Sequence, residues 1–260
     1  MSIITLTTDF GLTDTFVAQM KGVILGVAPD VQIVDITHDI RPQHVIGGAL
    51  ALESAIDAFP DGTIHVGVVD PEVGTDRRAI AVRTARSFFV GPDNGLFSSV
   101  LEKEPLVEAV KLNRFEYFHQ PVSSTFHGRD IFAPVAAHLA AGVPFEKLGD
   151  TVSHLVTLDL PRPRRVNGGI EVHVIHIDQF GNLVTDLRST MFEKWCVSNV
   201  TITVGDHTIE GLANSFADVL PQEPVAYFGS SGRLEVSVRN GSAWNALGIG
   251  CGDSMIVKRA

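Results

Sequence analysis

Apolar positions along this chain fall into two regimes that meet near residue 160. In the first, short β-branched runs alternate with stretches of helical spacing. Ile3–Thr7 predicts a strand, about Thr13–Val27 a helix, Val31–Ile36 a strand, about Val45–Phe59 an Ala-rich helix and Ile64–Val69 a strand. That βαβαβ order implies a mostly parallel sheet with flanking helices. Ile64–Val69 suits a strand buried on both faces, and Pro71 stops it because proline has no N–H for the ladder. Farther on, Ala79–Thr84 and Ser87–Val90 predict a pair of strands, with a dense turn signal at Gly91-Pro92-Asp93-Asn94-Gly95. Ser98–Leu101 starts a short helix, Ala109–Leu112 predicts a strand and about Ile131–Ala141 a helix. Leu160–Arg165, rich in proline and arginine, breaks regular structure. From Gly169 the pattern becomes successive short strands: Ile170–Ile177, Asn182–Thr185, Val200–Val204, His207–Ile209, Val225–Phe228, Leu234–Val238 and Met255–Val257. This spacing predicts a small antiparallel barrel or sandwich. The expected organisation is an α/β domain over residues 1–160, a linker over 161–168 and a smaller all-β, barrel-like domain over 169–260.

Composition narrows the classes of function. A chain of 260 residues that is 45% hydrophobic can bury a sizeable core, as one large domain or two ordinary ones. The net charge is -10 and the basic residues are scattered, which argues against a nucleic-acid footprint and for a small-molecule partner. Cys196 and Cys251 lie far apart with no CxxC or Cys/His spacing, so neither a disulfide framework nor structural zinc is expected. The N-terminus has no basic segment followed by an apolar run, and no apolar stretch nears the roughly 20 residues of a membrane span. A cytoplasmic protein with reduced thiols is the expectation.

Candidate chemistry gathers where strands end. Asp70 follows a buried strand, with Glu72, Gly74, Asp76, Arg77 and Arg78 close behind. In open α/β sheets that carboxyl edge is where ligands bind, although charged residues there can equally make a solvated turn. Asp9 sits at the end of another strand, before a helix, where it either caps the helix or accepts ligand hydroxyl hydrogens. His127, beside Gly128, Arg129 and Asp130 at a loop-to-helix junction, is placed where polar side chains and free N–H groups can converge on a ligand. In the later half, Asp178–Asn182 and Gly229–Arg233 are polar, glycine-containing loops between strands.

Seven motifs in order, TTDFG (Thr7–Gly11), DITHDI (Asp35–Ile40), VVDPEVGTDRR (Val68–Arg78), GPDNG (Gly91–Gly95), FHGRDIFAP (Phe126–Pro134), IDQFGN (Ile177–Asn182) and SSGRLEV (Ser230–Val236), span essentially the whole chain. Together they resemble the S-adenosylmethionine hydroxide adenosyltransferase family, hydrolases related to the fluorinase and chlorinase. The resemblance implies an α/β domain joined to a barrel-like domain, in a homotrimer with the ligand between one subunit's N-terminal domain and its neighbour's C-terminal domain. It implies a water-activating triad of Asp70, Arg77 and His127. It also places ribose hydroxyls on Asp9, adenine between Phe180 and Phe216 with Asn182 at its edge, and the methionine end on Asp178 and Ser230. No cofactor or metal is expected, because S-adenosylmethionine is itself the substrate. Similar halogenases carry tyrosine at the positions of Asp70 and His127, and the fluorinase has serine at Gly128 and tryptophan at Gln43. A carboxylate at position 70 would repel a halide but can orient a water. The expected reaction is attack of that water on the ribose C5′, giving adenosine and L-methionine. Two rivals remain at this level. One is a metal-dependent hydrolase of a nucleoside-like substrate, built on Asp9, His38, Asp39, Asp70 and His127. The other is a module that binds S-adenosylmethionine or adenosine without catalysis.

Overall fold

The computed structural model describes residues 2–195 and 199–259. They form two compact units, Met1–Asp159 and Leu160–Ala260.

The first unit runs β1 (Ile3–Thr8), α1 (Phe16–Val27), β2 (Gln32–Thr37), α2 (Val45–Ala55), β3 (Ile64–Val68), β4 (Ala79–Arg83), β5 (Phe88–Pro92), α3 (Ser98–Lys103), β6 (Glu108–Leu112), α4 (Ala133–Ala140) and β7 (Gly149–Thr151). Its seven-stranded sheet has the order β2-β1-β3-β5-β4-β6-β7. β2, β1, β3 and β5 are mutually parallel, and β4, β6 and β7 pair antiparallel. The strands alternate between two cores. Ala79 and Ala81 face one shared with Met20 and Ile24 of α1 and Val135 and Ala136 of α4. Ile80 and Val82 face another shared with Leu52 of α2 and Val100 of α3. Burial on both faces accounts for the near-continuous apolar runs. Because the chain leaves β1 for β2 on one side and returns to β3 on the other, the order reverses at β1/β3. In open α/β sheets that switch point opens a crevice at the strands' carboxyl ends.

Several boundaries differ from the sequence expectation. α1 begins at Phe16 rather than Thr13, because the chain after Asp9 bends through a loop before entering the helix. α2 ends at Ala55 and tightens into a 3-10 turn over Ile56–Ala58 before Phe59-Pro60. β5 continues through Gly91 and Pro92, so the turn begins only at Asp93. Gly91 is required there: a Cβ would stand 2.3 Å from the Gly67 carbonyl oxygen on the adjacent strand. A π-turn over Gly128–Phe132 precedes α4.

The second unit contains β8 (Arg164–Val166), β9 (Gly169–Ile177), β10 (Leu183–Arg188), α5 (Ser189–Trp195), β11 (Val200–Val204), β12 (His207–Glu210), β13 (Pro224–Phe228), β14 (Arg233–Val238), α6 (Ala243–Leu247) and β15 (Ser254–Arg259). The strands follow the path β12-β11-β15-β9-β10-β14-β13, with β8 paired to β9. Every pairing is antiparallel, and the two end strands approach each other, so the sheet curls into a nearly closed barrel. Its core holds Ile170, Val172, Leu183, Ile202, Leu234, Val236 and Val257. Arg164–Val166 was expected to be irregular but forms β8, where Arg164 reaches across to Glu171 at 2.6 Å. Cys251 is exposed in the turn before β15, and Cys196 lies outside the described residues. No helix among the described residues is long and apolar enough to cross a membrane.

Candidate active site

Asp9 and Asp70 leave the sheet at the β1/β3 switch point. Thr8 pairs with Val68, so the two carboxylates follow the ends of adjacent parallel strands. After Asp70 the chain turns back on itself. The Val73 N–H donates to the Asp70 carbonyl and the Thr75 N–H to that of Glu72, while Thr75 Oγ1 accepts the Arg77 N–H. This turn returns Arg77 over Asp70. Its Nε lies 3.0 Å from both carboxylate oxygens and its Nη2 2.5 Å from Oδ2. Both side chains are only 4% exposed. Arg77 Nη2 also lies 2.7 Å from His127 Nδ1, and its guanidinium stands over the Phe132 ring. The three residues therefore form one half-buried unit.

Two contacts fasten the His127 loop to the strand-end loops. Gly74, at φ 82°, brings the Asp70 turn so close to the loop before His127 that a Cβ would meet the Ser124 carbonyl oxygen at 2.5 Å. Phe10, directly after Asp9, packs edge-on against Phe126, directly before His127, with ring centres 5.9 Å apart. Buried Asp130 fixes the same loop, accepting the Ser123 N–H at 2.8 Å and Arg129 at 2.6 Å. Asn94, read only as part of a turn, donates to the Val69 carbonyl at 2.8 Å and pins the residue before Asp70. Arg78 takes no part in the unit. It pairs with Asp93 and donates to the His154 carbonyl.

Proton inventory decides what the unit offers. Arginine is always a donor, so the His127 Nδ1 facing it must be an unprotonated acceptor, and the neutral ring carries its proton on Nε2. Burial lowers the His127 pKa from its ordinary 6.5, and the Arg77 charge lowers it further, against the opposing charges of Asp70 and Asp130. Asp70 Oδ2 accepts both the Nε–H and the Nη2–H of Arg77, whereas Oδ1 accepts only the shared Nε–H and keeps a second lone pair. The unit thus combines a carboxylate acceptor with an imidazole Nε2–H donor.

Asp9 Oδ2 accepts the Gln43 N–H at 2.8 Å, with Gln43 at φ 64° in the left-handed region. His38 is engaged by Thr8 and Asp35. Among the described residues no three His, Cys, Asp or Glu side chains come together to hold a metal ion, so the donor geometry gives the metal-hydrolase alternative no support.

In the second unit, Asp178 shapes its own loop. Oδ1 accepts the N–H groups of Phe180 and Asn182, each at 2.9 Å, and Oδ2 accepts Asn182 Nδ2 at 2.7 Å. This leaves Asn182 buried and Phe180 projecting, 77% exposed. Phe216 rests edge-on against Tyr227, with ring centres 4.9 Å apart, and Ser230 is exposed in the turn between β13 and β14. Sequence reading missed Glu235, whose carboxylate lies directly against Gly229 beneath that turn. Burial raises its pKa, a hydrogen bond from Tyr227 opposes this, and the charge of Asp178 adds to it.

Comparison with known proteins finds relatives of both units. Residues 4–149 match the SAM hydroxide adenosyltransferase N-terminal domain and residues 172–256 its C-terminal domain. A protein of Salinispora tropica named (R)-S-adenosyl-L-methionine hydrolase is 39% identical over 260 residues, covering 98% of this chain and 97% of that one. A fluorinase of Actinoplanes sp. is 31% identical over 268 residues, covering 90% of each. The crystal structure of an uncharacterized conserved protein from Thermotoga maritima superposes with a TM-score of 0.93 at 36% identity, covering 98% of this chain and 100% of that one. The chain belongs to the SAM hydroxide adenosyltransferase family.

Proposed function

We propose that this protein hydrolyses S-adenosyl-L-methionine to adenosine and L-methionine, with Asp70, Arg77 and His127 as its catalytic residues. The observation that carries the reading is the half-buried Asp70–Arg77–His127 unit at the sheet's switch point, in a chain related along its length to S-adenosyl-L-methionine hydrolases. Asp70 accepts one hydrogen of a water, and His127 Nε2–H donates to its oxygen, so the water's remaining lone pair points at the ribose C5′. As the C5′–O bond forms, the C5′–S bond breaks with its electron pair going to sulfur. The cationic sulfonium leaves as a neutral thioether and needs no general acid. The water's proton passes toward Asp70, the basic member of the pair. Arg77 contributes by fixing the rotamer of one partner and the tautomer of the other. An anionic carboxylate at this spot disfavours a halide, which distinguishes the chain from its fluorinase relatives.

Asp9 would receive the ribose hydroxyls, Phe180 and Phe216 would hold the adenine with Asn182 at its edge, and Asp178 and Ser230 would take the methionine end. Asp178, three of whose lone pairs are already used, acts on the ligand chiefly by shaping its loop. The exposed face of Phe180 supports the further reading that another copy's first unit completes the site, in a homotrimer working in the cytoplasm without a cofactor. Specific activity should then fall as the protein is diluted to monomers, with sedimentation and turnover measured on the same samples; a fully active monomer contradicts the shared site.

The pH profile is constrained as well. Protonating His127 would set an Nδ1–H against the guanidinium and break the unit. Because the His127 pKa is lowered, turnover should stay flat through neutral pH and decline only below the ordinary imidazole value of 6.5. A decline centred above that value would contradict a neutral His127.

The test of function is incubation of the purified protein with S-adenosyl-L-methionine of each sulfur configuration, with and without chelator. Adenosine and methionine should form in equal amounts, unaffected by chelator and faster from the R epimer that the relatives' name specifies. Binding without product would leave only the non-catalytic module, and loss of activity in chelator would restore the metal reading.

A further inference from the structure

His38 is only 3% exposed and follows the end of β2, yet the catalytic scheme does not use it. Its Nδ1 lies 2.9 Å from Thr8 Oγ1, and Thr8 Oγ1 accepts the Phe10 N–H at 3.2 Å. Its carbonyl accepts the Gly11 N–H at 2.8 Å. Its Nε2 stands 3.0 Å from Asp35 Oδ1, at a bent angle, and the other Asp35 oxygen receives Lys21 Nζ at 2.6 Å. The donors run in one direction. With the His38 proton on Nε2, facing the carboxylate, Nδ1 accepts the Thr8 hydroxyl, whose oxygen is then free to accept from Phe10. The His38 ring therefore holds Thr8 directly and Phe10 through Thr8 Oγ1, while the His38 backbone carbonyl holds Gly11, on both sides of Asp9. Asp9 uses Oδ2 on Gln43, while its Oδ1 makes no hydrogen bond among the described residues.

We propose that His38 is a positioning residue for substrate binding, its imidazole holding Thr8 Oγ1, and through it the Phe10 N–H, so that the Asp9 loop stands where Asp9 can accept the ribose diol. The proposal rests on the functional reading above. A loop that positions a ground-state contact affects binding rather than the chemical step, and loss of a hydrogen bond to a charged group corresponds to about a tenfold change or more.

The test measures KM and kcat for S-adenosyl-L-methionine, and calorimetric affinity for adenosine and 2′,3′-dideoxyadenosine, in wild type, His38→Ala, His38→Asn and Thr8→Val. His38→Ala should raise KM about tenfold with kcat within about threefold. It should weaken adenosine binding but leave dideoxyadenosine unchanged. His38→Asn, whose amide can replace Nδ1 toward Thr8, should recover most of the loss, and Thr8→Val should reproduce it. If His38→Ala does not fold, Thr8→Val makes the same comparison. Equal weakening for both nucleosides, a loss confined to kcat, or unchanged constants would overturn the proposal. A wild-type protein that forms no adenosine would overturn the functional reading instead, and the proposal with it.

Discussion

Asp70→Ala should lower kcat for S-adenosyl-L-methionine hydrolysis by about 10²- to 10⁴-fold while the affinity for substrate changes little, because one orienting and proton-accepting group is lost and the binding contacts stay. The geometry adds a structural consequence. The Arg77 side chain is only 4% exposed and spends its Nε and Nη2 on Asp70, so truncation strands a buried cation. Breaking a buried pair in this way costs about 3–5 kcal/mol of stability. Asp70→Asn is therefore the companion variant: it keeps the shape and one acceptor oxygen but cannot take a proton. It should lose turnover with a smaller loss of stability. Arg77→Ala and His127→Ala should give losses of similar size, and the double variants should lose little more than the singles, as expected of residues acting as one unit. Turnover, calorimetric affinity and melting temperature on this set separate the two effects. Near-normal turnover in a folded Asp70→Asn would mean that the carboxylate is a structural turn residue.

The second large effect concerns stability in acid. His65, the second residue of β3, is fully buried, with Nδ1 2.8 Å from Thr5 Oγ1 and its ring stacked on Phe89 and edge-on to Phe59. Burial lowers its pKa from 6.5 to about 4. The unfolded chain therefore takes up a proton near pH 6.5 that the folded chain refuses until about pH 4, and stability rises with pH across that window. The contribution is complete above pH 6.5, is lost progressively toward pH 4, and amounts to about 3 kcal/mol. Denaturant unfolding at a series of pH values should show this slope in the wild type. His65→Gln, which still offers Thr5 a partner but does not titrate, should remove most of it whatever its stability at neutral pH. An unchanged slope in that variant would assign the acid sensitivity to the carboxylates.

What could be read in advance follows from how local each determinant is. β3 and the turn after it were legible because a buried β-branched run ending in proline allows little else, and this placed Asp70 at the sheet edge. The proximity of His127 to Asp70, across 57 positions of chain, follows from no local pattern. It was available only through the family resemblance, and the packing of Gly74 on Ser124 and of Phe10 on Phe126 supplies its physical cause. α5 and α6, with seven and five residues, are too short for a helical period to declare itself. β8 was hidden by the prolines and arginines around it, because its stability comes from pairing with β9 rather than from its own composition. The grip of His38 on Thr8 depends on the β1/β2 register, which shifts between Leu6 and Thr7, and no periodicity reveals such a bulge.

The central claim, that an oriented water attacks the ribose C5′, is tested most directly by turnover in ¹⁸O-labelled water with mass analysis of both products. One labelled oxygen should appear in adenosine, at the 5′ hydroxyl, and none in methionine. Unlabelled adenosine, or release of free adenine, would contradict the mechanism.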